Sequence, residues 1–525
     1  MLKIYIDGKK YEVAEGSTIL DACRQAGIEI PVMCYLDGCT HFTSCMVCVV
    51  KDVKSKRLIP SCSAPVVDDM EIEACTEEVR EGRRVALELL LSEHLGDCEA
   101  PCHRICPAHM NIPQMLHQIA AGESVKALAT VKRNIALPAV IGRICPAPCE
   151  KGCRRGRQDS PVSIRMSERY VADLDMDAGD PRLPECAQAS GKQVAVVGAG
   201  PTGLSAAFYL QQMGHACTVF DDRGMPGGQL IDGVPEHLLP RDITAAEINI
   251  IRRTGVVFKQ RQTLGKDITL DSLAGEYDAV VLALGFKELD ELQPLGLDLS
   301  KNGIKVDKHS LTTNRRGVFA GGGVIGNGKT MAIRSLADGK AIAHSVDTFL
   351  SGHNPQGVQQ LFNSAIGAVK KEELVEFMRG AADSARHEPA DADCGFAKQE
   401  AVAEAERCLH CDCRKLKSCR LRSYSDEYDA HQNRYKGQER KPLRIIMQHP
   451  RVVYEPGKCI KCGICVRITG QTDEPLGMAF LKRGYDSEIG VPFNDSLEQG
   501  LTHSSEQCVK ECPTGALAFV EGEEV

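Results

Sequence analysis

The 525-residue chain contains no tryptophan, and its aromatic residues amount to only 5%. So few rings leave little for the stacking platforms that grip single-stranded nucleic acid. Positive charge is also short. Lys plus Arg is 63 against 71 for Asp plus Glu, a net charge of −8, which argues against a binder of phosphate backbones and so against nucleic acid. No apolar run approaches the ~18 residues that span a bilayer, so membrane insertion is not expected. The opening MLKIYIDGKKYEV alternates as a strand does and lacks a signal peptide's charged-then-apolar layout, so the expected location is cytoplasmic. No P-loop, Ser/His/Asp triad or paired-carboxylate site stands out. What is abundant is cysteine, at 25 residues. A cytosolic chain does not keep that many as disulfides, which points to metal or redox chemistry. At about 150 residues per domain the length allows three or four domains, more if some are small cluster modules.

The cysteines lie toward the two ends, with none between Cys217 and Cys394. Residues 1–80 open with two alternating stretches, Lys3–Asp7 and Tyr11–Glu15, joined by Asp7-Gly8, a hairpin signal. Ser17, with Asp21 downstream, reads as a helix start. Then comes Cys34-x10-Cys45-x2-Cys48-x13-Cys62. Four thiolates, two per iron, with a close pair on a tight loop, suit a [2Fe–2S] cluster. The spacing resembles the N-terminal β-grasp ferredoxin domain of the large iron–sulfur subunit of complex I and of iron hydrogenases. Cys23, Cys39 and Cys75 fall outside the pattern and read as ordinary buried residues.

Residues 81–185 look helical and carry Cys98-x3-Cys102-x3-Cys106-Pro107, then Cys145-Pro146-x2-Cys149-x3-Cys153. A four-residue spacing returns side chains to nearly one helix face, and the prolines force loops where thiolates can converge. The stretches CPAHMNIP, NIALPAVIGRICPAPCEKGCRRG and PVSIRMSER resemble the N-terminal domain of the glutamate synthase small-subunit family, which includes dihydropyrimidine dehydrogenase and the large subunit of the bifurcating transhydrogenase. That resemblance covers residues 98–172 and implies two [4Fe–4S] clusters. Cys98, Cys102 and Cys153 would serve one; Cys106, Cys145 and Cys149 would serve the other, completed by an oxygen donor at Glu168. The family's cysteine upstream of Cys98 is missing here, and His94 is the substitute; LLLSEHLGDC also resembles the complex I subunit, where a His opens such a motif.

After a linker at 181–190, QVAVVGAGPTG (193–203) reads as a buried strand, a tight glycine turn and a helix N-terminus able to seat a pyrophosphate. The next strand ends in Asp221, placed for ribose hydroxyls. MPGGQL with Gly228 and Gln229, the strand ending at Gly285, and GVFAGG with Gly322 resemble the flavin-contacting stretches of the same family and imply FAD bound by Gly198, Gly200, Gly203, Asp221, Gly228, Gln229, Gly285 and Gly322. Where the family has an Asp near the flavin, this chain has Gly323. Relatives also insert a second nucleotide domain of roughly a hundred residues. Only 31 residues separate Gly285 from Gly317, and they hold no second glycine signature. A Rossmann-like FAD domain over 190–355 without a nicotinamide domain is expected.

Residues 356–430 look largely helical, and the segment 356–440 carries Cys408-x2-Cys411-x-Cys413-x5-Cys419, which suits a [4Fe–4S] cluster, with zinc as the competing reading. Residues 441–525 hold Cys459-x2-Cys462-x2-Cys465 and Cys508-x3-Cys512-Pro513, similar to a bacterial two-cluster ferredoxin. Thr469 replaces one expected cysteine, so Cys459, Cys462, Cys465 and Cys512 close one [4Fe–4S] cluster and Cys508 is left over. The expected fold class is multidomain α/β and α+β: a β-grasp ferredoxin, a helical double-cluster domain, a Rossmann-like domain and a ferredoxin-like end. The expected function is an electron-transfer subunit bearing FAD, one [2Fe–2S] and four [4Fe–4S] clusters in a multi-subunit anaerobic oxidoreductase. Its partners would be other redox subunits at both ends of the chain, ferredoxin, or an NAD(P)H-oxidising subunit. The alternatives are a self-contained NAD(P)H-dependent oxidoreductase and a cluster scaffold with a vestigial flavin site.

Overall fold

A computed structural model describes residues 1–39, 42–326, 331–391, 393–437 and 440–522. The chain divides into two compact units: residues 1–100, 361–381 and 409–525 form the first, and residues 101–360 and 382–408 the second. Both chain ends therefore belong to one unit. The segment 356–440 is shared between the units.

In the first unit, β1 (Leu2–Ile6) and β2 (Lys9–Val13) form the expected hairpin. Asp7 and Gly8 both take positive φ, 47° and 77°, the tight-turn geometry that matches strand twist. Helix Ile19–Gln25 is capped by Thr18 rather than Ser17: the Asp21 N–H donates to the Thr18 hydroxyl, and the Thr18 N–H donates to the Asp21 carboxylate. With β3 (Val49–Asp52), β4 (Arg57–Pro60) and β5 (Met70–Glu73) the sheet runs β2-β1-β5-β3-β4, and the β1–β5 pair is parallel. Ile4, Ile6, Leu20, Ala22 and Ile72 fill the space between helix and sheet.

The second unit begins with helices, among them Ile112–Ala120, Ser124–Lys132, Pro138–Ile144 and Ile164–Asp177. A wholly parallel sheet follows: β6 (Gln193–Val197), β7 (Ala216–Asp221), β8 (Val257–Gln260), β9 (Ala279–Leu282) and β10 (Val318–Ala320), in the order β10-β9-β6-β7-β8. The near-continuous apolar text of β6 and β9 follows from helices covering such a sheet. Strand order reverses between β6 and β9, where ligands bind in doubly wound folds. Helix Pro201–Gln212 packs against helix Ala332–Leu350 at backbone distance; a Cβ on Gly339 would stand 2.3 Å from the Thr202 carbonyl oxygen.

The last part of the first unit pairs β11 (Val452–Tyr454) with β12 (Leu517–Phe519) beside helices Ile464–Gln471 and Ser505–Glu511. Met33, Leu87, Leu91, Val452, Ile464, Ile468 and Leu501, each 1% exposed or less, share one core, which joins the loop before Cys34 to the C-terminal module. The largely helical stretch expected at 356–430 is instead three short helices, Lys371–Met378, Lys398–Ala405 and Arg420–Glu427, separated by long irregular backbone. Cys75, expected to be buried, is exposed, because it lies just beyond β5. Among the described residues no helix is long and apolar enough to cross a membrane.

Candidate functional site

Cys34, Cys45, Cys48 and Cys62 come together at one end of the first sheet, each 6% exposed or less. The Cys34 thiol reaches both Cys45 and Cys62, and Cys48 reaches Cys62. Sharing protons within this group pushes Cys34 down and Cys45 and Cys62 up, while the bond from Cys62 lowers Cys48 to about 7. Ser61 holds the Cys48 loop, donating from its hydroxyl to the Cys48 carbonyl at 2.7 Å. Four buried thiols crowded together in this way suit a [2Fe–2S] centre.

In the second unit, Cys106, Cys145, Cys149 and Glu168 form a group in which each thiol feels the Glu168 charge. Cys106 follows the short helix Pro101–Ile105, Cys145 ends helix Pro138–Ile144, and Cys149 lies on helix Pro148–Lys151. Pro107 and Pro146 turn the chain as expected, but Cys98, Cys102 and Cys106 do not share a helix, since only Cys102 lies on one. Glu168 is 5% exposed and its Oε1 has no hydrogen-bond partner; burial, with Glu247 nearby, pushes the carboxyl up to about 8. A buried acid left open in this way fits a ligand waiting for a metal.

Back in the first unit, Cys459, Cys462, Cys465 and Cys512 line one cavity with Tyr454, Pro513 and Thr514. Cys508 is fully buried outside it, its Sγ 4.0 Å from the Cys465 carbonyl. Thr469, in place of a cysteine, donates to the Val466 carbonyl and accepts from the Met478 N–H. The sets Cys98–Cys102–Cys153 and Cys408–Cys411–Cys413–Cys419 each extend across both units. Within the first unit, Cys98, Cys413 and Cys419 are neighbours: Cys413 N–H donates to the Cys98 carbonyl at 3.0 Å, and Cys419 feels both thiols. No local motif announces that grouping, because Cys98 lies far from the other two in sequence. His94 is half-buried, its Nδ1 shielded and unpartnered; desolvation, reinforced by Lys458, lowers it to about 3, so the imidazole is neutral, the form that binds metal.

A cavity of about 1450 Å³ opens at the carboxyl ends of the parallel sheet. Gly198, Gly200, Asp221, Gly228, Gln229 and Gly285 line it, as expected. Gly203 and Gly322, also expected there, are not among its lining residues. A Cβ on Gly203 would stand 1.8 Å from the Gly198 carbonyl oxygen, and one on Gly322 would stand 2.3 Å from Thr202 Oγ1. Asp221 orders the turn itself, accepting from the N–H of Ala199 at 2.6 Å and of Arg223 at 2.9 Å. Gly323 has a physical reason to be glycine: a Cβ there would lie 2.9 Å from the Gly285 carbonyl carbon. The sequence reading missed Arg143, Ile144 and Pro146, which form one wall of this cavity and flank Cys145.

Three family models match separate stretches of the chain. Residues 1–77 match a 2Fe-2S iron–sulfur cluster binding domain, residues 92–180 the 4Fe-4S cluster domain II of dihydropyrimidine dehydrogenase, and residues 172–341 the pyridine nucleotide-disulphide oxidoreductases. The NADP(+)-dependent formate dehydrogenase subunit beta of Moorella thermoacetica is 38% identical over 220 residues, 38% of this chain and 31% of that one. The NADPH-Fe(3+) oxidoreductase subunit beta of Geobacter sulfurreducens is 37% identical over 210 residues, covering 39% and 30%. The glutamate synthase small chain of Bacillus subtilis is 36% identical over 195 residues, covering 37% and 39%. The match thus spans between three-tenths and two-fifths of these relatives.

Proposed function

We propose that the chain is an electron-transfer subunit of a multi-subunit oxidoreductase, carrying FAD in the large cavity and iron–sulfur clusters at the thiol groups. Gly198, Gly200, Gly203, Asp221, Gly228, Gln229, Gly285 and Gly322 would hold the FAD. Cys34, Cys45, Cys48 and Cys62 would hold a [2Fe–2S] cluster. Cys106, Cys145 and Cys149 with Glu168, and Cys459, Cys462, Cys465 and Cys512, would each hold a [4Fe–4S] cluster. His94, Cys98, Cys102, Cys153, Cys408, Cys411, Cys413 and Cys419 supply donors for two further centres. The single observation that carries the reading is the shared wall: Arg143, Ile144 and Pro146 bound the nucleotide cavity and flank Cys145.

A bound flavin supplies exchange of an electron pair with a hydride donor and of single electrons with clusters. The chain's own part is placement. The tight turn at Gly198 and the helix N-terminus at Gly200 offer backbone N–H groups to a pyrophosphate. Arg143 is anchored by Asp173 at 2.7 and 3.1 Å, which fixes the wall between the cavity and Cys145. The relatives named above are subunits of redox complexes, which supports partners of the same kind: redox subunits, ferredoxin, or an NAD(P)H-oxidising subunit, in the cytoplasm.

Anaerobic purification with flavin and iron assays tests this. One FAD and about eighteen irons, from one two-iron and four four-iron centres, are expected, with matching EPR signals on reduction. Near fourteen irons and one zinc would give the Cys408–Cys411–Cys413–Cys419 group a structural role. The self-contained reading has one observation in its favour, the match to the pyridine nucleotide-disulphide oxidoreductases. Bleaching of the isolated chain by NADH or NADPH would establish it.

A further inference from the structure

Two of the thiol groups share the first unit, and one side chain touches the backbone of both. Arg467 stands on helix Ile464–Gln471, just beyond Cys465. Its Nη2 donates to the Cys34 carbonyl at 2.9 Å and to the Cys462 carbonyl at 3.3 Å, and its Nε donates to the Gly463 carbonyl at 3.2 Å. Two acceptors on one nitrogen can be no farther apart than those two bonds laid end to end. Around this bridge the surfaces interlock. The Phe42 ring lies 5.1 Å from the guanidinium and 5.7 Å from the Phe480 ring. Gly463, at φ +70°, leaves room for Phe42, since a Cβ there would stand 2.8 Å from the ring. Gln471 donates to the Gly38 carbonyl and accepts from the Cys39 thiol, both at 3.3 Å. Cys34 and Cys45 lie in the same hydrophobic core as Cys462 and Cys465.

We propose that Arg467 is a positioning residue that couples the Cys34–Cys45–Cys48–Cys62 site directly to the Cys459–Cys462–Cys465–Cys512 site, so that a single electron passes between them within this unit. The proposal rests on the cluster reading above. The exchange balances by itself: one site is oxidised by one electron, the other is reduced by that electron, and no proton or further reactant is needed. A guanidinium suits the task because it stays charged and its planar fork binds two carbonyls at fixed geometry. Its charge favours the more negative, reduced state of both sites.

The test uses the full chain, purified anaerobically, with iron assayed first. Redox titration followed by EPR reads each site's potential, and rapid-freeze EPR after a reducing flash reads the exchange. Arg467→Gln is expected to lower both potentials by about 59 mV, a tenfold change in a one-electron equilibrium, and to slow the exchange about tenfold. Arg467→Lys keeps the charge, so the potentials stay near the original while the exchange still slows. Full iron with unchanged potentials and exchange in Arg467→Gln overturns the proposal alone. Should that variant lose iron, unchanged exchange in Arg467→Lys overturns it. An original chain without iron overturns the cluster reading and this proposal together, and the iron assay tells the two failures apart.

Discussion

Two thiol groups treat a neighbouring carboxylate in opposite ways. Four residues before Cys459 on the chain, Glu455, whose charge the Cys413 thiol feels, is 5% exposed but accepts from Lys458 at 2.7 Å and faces Arg414 at 3.4 Å. Near Cys106, Cys145 and Cys149, Glu168 is equally buried, yet one oxygen has no partner and burial holds the carboxyl up to about 8. Glu247, raised to about 7 by burial, lies close enough to add its charge and is itself satisfied only by the N–H groups of Ala139 and Val140. A buried carboxylate without a cation is costly. The C-terminal group has four thiols and a neutralised acid; the helical group has three thiols and an acid left open. An open oxygen beside three thiols is the donor set that the proposed cluster at this site would use.

The largest effect separates these two acids. Glu168→Leu is expected to cost about four irons per chain, as is Cys512→Ala at the other site, while Glu168→Gln, which keeps an oxygen donor, retains them. Glu455→Gln leaves the iron count unchanged. Iron assay and EPR read all four variants, and equal losses from Glu168→Leu and Glu455→Gln would erase the distinction between the two acids.

The cavity proposed for FAD sharpens the comparison because glycine backbone forms much of its floor. Gly203→Val puts a side chain where a Cβ alone would stand 1.8 Å from the Gly198 oxygen. The variant is expected to lose its FAD while keeping its iron, at about 1–3 kcal/mol of stability. Gly323→Asp, which would restore the relatives' residue, is expected to lose flavin as well, because the turn at Gly285 occupies the space. Flavin absorbance per chain checks both.

Legibility divides along the same line. Glycines and close cysteine pairs are local signals: QVAVVGAGPTG, Cys45-x2-Cys48 and Cys459-x2-Cys462 give strand, turn and thiol groups without reference to the rest of the chain. The N-terminal hairpin is readable from Asp7-Gly8 for the same reason. What could not be read locally is set by tertiary packing. Nothing near Cys98 announces Cys413 and Cys419, and nothing in the helix containing Arg467 announces Cys34. Helix content at 356–430 was overestimated because charged, alanine-containing text favours helix by composition, while the segment's actual partners are scattered hydrogen bonds such as Ser364 Oγ to the Gly96 carbonyl. Glu168 was reachable by resemblance, but its open oxygen was not.

A smaller effect tests whether paired acids in the first unit are ordinary stabilisers. Glu373 accepts from both Arg440 nitrogens, at 2.6 and 2.5 Å, which holds its carboxyl down to about 2 against an ordinary 4.5. Because the folded value is depressed, the stabilisation is present above about 4.5 and is lost as pH falls through about 2. Discounted for water around the arginine, Glu373→Gln is expected to cost about 1–2 kcal/mol at neutral pH. Denaturant unfolding at several pH values should show the gap between variant and original closing in acid. A gap that persists there would assign the loss to packing instead.

The smallest effect concerns a thiol that looks like a ligand in sequence and is placed like a core residue. Cys508 belongs to a Cys-x3-Cys-Pro run, but its sulfur packs against the Cys465 carbonyl and the Ser504 hydroxyl, both at 4.0 Å, outside the cavity formed by the other four. Thr469, in place of the cysteine a second cluster would need, has its hydroxyl bonded on both sides and stands 3.0 Å from where a Cβ on Gly477 would be. Cys508→Ala therefore removes one sulfur's worth of packing and nothing else, a cost of about 1 kcal/mol with no change in iron or in the four-iron EPR signal. Set beside Cys512→Ala, four residues away on the chain, it asks whether geometry or motif selects the ligand. If the alanine at 508 removes irons, the C-terminal site draws on a thiol outside its own cavity, and the distinction between closed and open groups drawn above no longer holds.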